Sequence, residues 1–116
     1  MADMRNQPVS SDAVERFLAR RAMQEIRPHD VAVVGFGVCA AIPALMARSP
    51  GPRAAFMIKQ GAFGGTPLSG QQFGCAYNSS AYIDVKHDFD DLRGGFFDAA
   101  LMSFLQIDGE GNVNVS

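Results

Sequence analysis

At 116 residues the chain has room for one domain at most, and a domain of that size buries a smaller share of its unfolded surface than a larger one. It is 47% hydrophobic and 19% charged with nine Phe, rich enough for a packed core and too apolar for a disordered tail. Ten Lys plus Arg against twelve Asp plus Glu leave a net charge of −2, which excludes a basic field for general binding to nucleic acid or an anionic membrane; the expected partner is a small molecule or another protein.

Residues 1–11 are polar and without periodicity, which predicts a flexible N-terminal arm, with a single domain over 12–116. Asp12 and Glu15 have the spacing of a capping box, and Val14, Phe17, Leu18, Ala22 and Ile26 fall on one helical face, predicting an amphipathic helix over 12–27. Pro28-His29-Asp30 stops it. Val31-Ala32-Val33-Val34 is a continuous apolar run of the kind found in strands buried on both faces, usually in parallel sheets. Gly35-Phe36-Gly37 turns the chain into a helix over 40–48, with Pro43 expected in its first turn, where a missing N–H costs little. After the breaker Ser49-Pro50-Gly51-Pro52, Ala54–Ile58 reads as a second strand and completes a βαβ crossover.

Residues 60–76 hold five glycines and a proline, too many for a regular element and too few polar groups for a solvent loop, so this segment is expected to pack against something. Residues 78–93 show no clear period. Phe97–Ile107 reads as a strand, with Phe96, Phe97, Leu101, Met102 and Phe104 forming core or a domain interface. Asp108–Asn112 has turn chemistry, and Val113–Ser116 alternates as the return strand of a hairpin. An alternating run at the last residue looks like a chain interrupted within a sheet, with an unpaired edge.

Cys39 and Cys75 lack metal-ligand spacing and read as reduced, buried thiols. Asp88, Asp90, Asp91 and Asp98 lack the spacing of a hard-metal site, so no metal is expected. His29 and His87 read as exposed. With no apolar leader in residues 1–12 and no run near the roughly 18 apolar residues of a membrane span, a cytoplasmic setting without membrane contact is expected. Val33 through Ala40 also fits the dinucleotide fingerprint Gly-x-Gly-x-x-Ala. The second strand, however, ends in Ile58-Lys59 instead of the acid that holds NAD ribose, which leaves an NADP-binding βαβ unit as an alternative.

Three stretches carry a resemblance: Leu18–Ala22 through Arg27–Val31 to Val34-Gly35-Phe36-Gly37; Lys59-Gln60-Gly61-Ala62-Phe63-Gly64-Gly65-Thr66-Pro67 with Phe73-Gly74 and Asn78; and Phe89-Asp90, Gly94-Gly95, Asp98, Gln106-Ile107-Asp108, Gly111–Ser116. Together they resemble the N-terminal half of the β-type domain of family I coenzyme A transferases, the acyl-CoA:acetate and 3-ketoacid transferases. The resemblance implies an open, mostly parallel α/β sheet of the NagB/RpiA/CoA-transferase-like type, here incomplete. It implies an acyl-CoA and a small carboxylate as substrates, with no tightly bound cofactor beyond the coenzyme A thioester that reacts. As partner it implies an α-type domain or a homo-oligomer.

In that family a glutamate attacks the thioester, forms a mixed anhydride with the acyl group and then becomes an enzyme thioester. Laid against the family's Glu-x-Gly-x-x-Gly-Gly-x-Pro, the resemblance puts Lys59 at that glutamate, and Gly35, Gly37, Gly61, Gly64 and Gly65 at positions that bind coenzyme A or substrate. An amine would form an amide too stable to pass the acyl group on, so the chain is expected to be inactive alone, a pseudoenzyme or a fragment. The other reading is a non-catalytic scaffold that pairs with an α-type partner. Cys39 also departs from the family, which has proline shortly after Gly-x-Gly.

Overall fold

The chain is built around two apolar strands that lie side by side. Its structure, a computed structural model, describes residues 11–50, 53–68 and 70–115, so the predicted arm lies outside the described residues except for Ser11. β1 (Val31–Val34) pairs in parallel with β2 (Ala55–Ile58) and with β7 (Ala99–Leu101), in the register Val34↔Ile58 and Val34↔Leu101. β3 (Ala62–Phe63) runs antiparallel to β2, and β6 (Ala81–Tyr82) antiparallel to β3, giving the order β6-β3-β2-β1-β7. Both long ladders are parallel, so the sheet is open and mostly parallel, as expected. Ala32, Val33, Val34, Phe56, Met57 and Ile58 are all buried, which is why neither β1 nor β2 shows polar alternation.

α1 (Ser11–Met23) and α2 (Ile42–Arg48), the latter entered through a 3₁₀ turn at Val38–Ala41, cover one face. Ala19, Ile26, Cys39 and Ile42 meet Ala32, Val34 and Phe56 there, with Ala22, Met23 and Leu45 packed around them. Ile42, Ile58, Val33 and Val34 are fully buried, each worth about 1.5–3 kcal/mol in apolar area removed from water. Pro43 sits in the first turn of α2, as predicted.

α1 corrects three expectations. Asp12 lies inside the first turn, and the helix ends at Met23, four residues before the predicted 27. Gln24, Glu25 and Ile26 bond back three residues, to Arg21, Ala22 and Met23, and Arg27 precedes a proline, which disfavours the helical conformation. The face turned to the core also differs: Ala19 is 0% exposed while Phe17 is 70% exposed, with Val14 and Leu18 outward as well. A small residue lets the helix approach the 3₁₀ turn closely, and the larger apolar stripe faces away.

The glycine-rich segment folds as short paired pieces. β4 (Thr66–Pro67) pairs with β5 (Ala76–Tyr77), and Phe73 packs edge-on to Phe36 at 5.6 Å. Residues 78–93, without a period in the sequence, contain most of α3 (Val85–Gly94), whose cap Asp84 accepts from Lys86 N–H at 2.8 Å and whose end is the left-handed Gly95. The predicted strand over 97–107 is two strands. β7 ends at Leu101, Ser103 turns aside to donate to the Phe36 carbonyl at 2.7 Å, and β8 (Gln106–Ile107) begins a separate hairpin with β9 (Val113–Asn114). Asp108 orders that turn by accepting from the N–H groups of Glu110 and Asn112, and the Asn112 side chain holds its carboxyl below the usual range. Phe96, Met102, Phe104 and Leu105 are exposed and so do not form core. Cys39 is a buried free thiol, whereas Cys75, in the surface loop before β5, is exposed, contrary to expectation.

Asp88 on α3 is 3% exposed, and its Oδ1 has no hydrogen-bond partner. Burial pushes its carboxyl up, with Asp91 adding repulsion. A carboxyl raised in the folded state leaves that state binding more protons than the unfolded chain. The contribution of Asp88 to stability is therefore fully present below the unfolded value of about 3.9 and is lost as pH rises through the folded one. Asp88→Asn is expected to raise stability at pH 7 by roughly 1 kcal/mol and to flatten this decline, as read by urea denaturation at pH 5 and 7.

Candidate active site

Three parallel strands end together. Beyond their last residues the ladders continue: Gly35 N–H donates to the Leu101 carbonyl at 2.9 Å, and Lys59 N–H to the Val34 carbonyl at 3.2 Å. Gly35 and Lys59 are thereby held on adjacent strand ends. In open α/β sheets ligands bind in the crevice outside the carboxyl ends of the strands.

Each glycine here has a local reason. A Cβ on Gly35 would meet Met102 Sδ at 3.0 Å, and one on Gly37, whose φ is +93°, would meet Ser103 Oγ at 2.8 Å. Gly61, at φ +101°, closes a turn onto the Ile58 carbonyl at 2.7 Å and accepts from Ile83 N–H at 2.9 Å, bringing the two backbones closer than any side chain allows. Gly35, Gly37, Lys59 and Gly61 thus lie around the strand ends. Gly64 and Gly65 do not: β3 runs back along β2, Gly64 N–H bonds the Phe56 carbonyl at 2.8 Å, and both glycines pack against residues 77–80.

Lys59 is half-buried, and among the described residues no carboxylate pairs with its ammonium. Cys39 lies with its sulfur 4.0 Å from Ser103 Oγ, and burial pushes its thiol up, which keeps it in the unreactive protonated form. His29 and His87 are exposed, and His29 lies at the far end of β1, away from this rim.

A groove of about 690 Å³ opens beside the Gly35–Gly37 turn, walled by Phe36, Gly37 and Ser103 and by Asp12, Glu15 and Arg16 of α1. Lys59 is not on its wall. Glu15, which the sequence marked only as a capping-box residue, and Ser103, which no motif marked, reach this place because α1 packs on the 3₁₀ turn and β7 ends beside β1. Among the described residues no group of three or more His, Cys, Asp or Glu is placed to hold a metal, and no helix is long and apolar enough to cross a membrane.

No protein-family model matches the chain. The caffeate CoA-transferase of Acetobacterium woodii is 33% identical over 110 residues, 94% of this chain and 21% of that protein. The acetate CoA-transferase YdiF of Escherichia coli K12 is 36% identical over 102 residues, 86% and 19% respectively. The chain therefore spans about a fifth of the length of the curated relatives it matches. Among solved structures, the apoenzyme of the acyl-CoA transferase YdiF from Escherichia coli O157:H7 superposes with a TM-score of 0.72 at 31% identity, over 95% of this chain and 20% of that one. The same enzyme in its thioester complex with CoA gives 0.74 at 29% identity, over 95% and 21%. Sequence and fold agree: the chain belongs to the family I coenzyme A transferases.

Proposed function

We propose that residues 12–116 are the opening half of a β-type coenzyme A transferase domain that holds a short acyl-coenzyme A at the carboxyl ends of β1, β2 and β7, with Lys59 in place of the nucleophilic glutamate. The observation that carries this reading is the backbone bonding that sets Lys59 beside Gly35 at adjacent strand ends, between the turns of Gly37 and Gly61. A similar fold solved as a thioester complex with CoA supports the ligand class.

The transferase cycle needs a group that attacks as a nucleophile and departs as a leaving group. A carboxylate does both through its anhydride, whereas an amide nitrogen does not leave. The chain therefore binds thioester and small carboxylate without passing the acyl group between them, in a cytoplasmic setting and beside an α-type partner or a second copy. The exposed Phe96, Phe104 and Leu105 favour a second reading, a pairing domain with no ligand of its own.

Titration of the full chain with a thioether analogue of acetyl-coenzyme A, which cannot be cleaved, separates the two. Saturable heat, with amide NMR shifts centred on Gly35, Gly37, Lys59 and Gly61, is expected. Absence of saturable binding, or shifts confined to the β8–β9 hairpin, would leave only the pairing domain.

A further inference from the structure

The chain holds eight arginines but only two lysines, Lys59 and Lys86. Lys86 projects from α3 into an ion pair with Asp90 at 3.0 Å. Lys59 has no such partner among the described residues and stands at the strand ends. The other nucleophiles near those ends are disabled. The Cys39 thiol is buried, and the Ser103 hydroxyl is committed to the Phe36 carbonyl with no imidazole beside it to take its proton.

We infer that Lys59 is an acyl-acceptor site, modified once by the acyl-coenzyme A bound beside it. This rests on the proposed thioester site. The amine lone pair adds to the thioester carbonyl carbon, the C–N bond forms as the C–S bond breaks, and the amine proton leaves with the sulfur as coenzyme A thiol. The product is an amide, so the step needs no oxidant or reductant and consumes its own acceptor. Only the unprotonated amine attacks, and the rate climbs with pH. Where relatives release the acyl group, this chain would retain it and neutralise the one unpaired lysine at its strand ends.

The test is peptide mass analysis of the full chain after incubation with acetyl-coenzyme A at pH 9. Hydroxylamine is added afterwards to strip any acyl group from the exposed Cys75 sulfur. Proximity in a bound complex favours the held amine, so Lys59 is expected to be acetylated at least about tenfold faster than Lys86, saturably, and to be protected by the thioether analogue. Of the two lysine side chains, Lys59→Arg should leave Lys86 alone to label, at its slow rate.

Equal labelling of the two lysines, linear in thioester and indifferent to the analogue, would overturn the inference. If the analogue binds in calorimetry while Lys59 stays unmodified, the acceptor role fails and the binding site stands. If the analogue does not bind and labelling is unselective, both fail.

Discussion

Gly61→Ala is expected to destabilise the chain by roughly 3–5 kcal/mol, a large part of what a domain of this size has. Two effects add. At φ +101° an L-residue is strained by about 1–2 kcal/mol, and the new Cβ would lie closer than 3.0 Å to the Ile83 carbonyl oxygen. That atom belongs to backbone, so it cannot swing aside as a side chain would. The turn after β2 would have to part from the segment after β6, breaking the bond from Ile83 N–H to the Gly61 carbonyl and freeing Lys59 from its place.

Gly111→Ala is the control. Gly111 also has positive φ, at +88°, but nothing lies within 4 Å of its Cβ position, so the loss should stay near 1 kcal/mol. Urea denaturation of both variants reads the difference. Equal losses would mean that backbone conformation alone, and not the close approach, sets the requirement for glycine at position 61.

How far the residues announced this fold depends on which force decided each element. β1 and β2 were readable because strands buried on both faces need unbroken apolar runs, and Val31–Val34 and Ala55–Ile58 are such runs. The β8–β9 hairpin was readable because Asp108 and Gly111 carry the turn in their own chemistry. The packing face of α1 was not. Its sequence has apolar residues on two sides, and only contact with the 3₁₀ turn selects Ala19 over Phe17. α3 was missed because half of its residues are charged, although Asp84 at its start, Gly95 at its end and Val85, Phe89 and Leu92 at helical spacing were there to be read. At the site, the family resemblance marked Lys59 and its flanking glycines. Glu15 and Ser103 stand some 20 residues before and 66 residues after Gly37 along the chain, and only tertiary packing brings them to its side.

The largest effect on activity is expected at Lys59. A carboxylate at the end of β2 would supply a group able to form an anhydride and then leave it, and each tenfold in rate corresponds to about 1.4 kcal/mol of barrier. The decisive measurement is exchange of label between acetyl-coenzyme A and isotopically labelled acetate, catalysed by the native chain and by Lys59→Glu, each alone and with an α-type partner chain. The native chain is expected to stay at background in both settings, and Lys59→Glu with partner to exceed it by at least about 100-fold, a span typical of gaining one essential catalytic group. Label transfer by the native chain would contradict the account, because the nucleophile would then lie elsewhere and Lys59 would not be what silences the site.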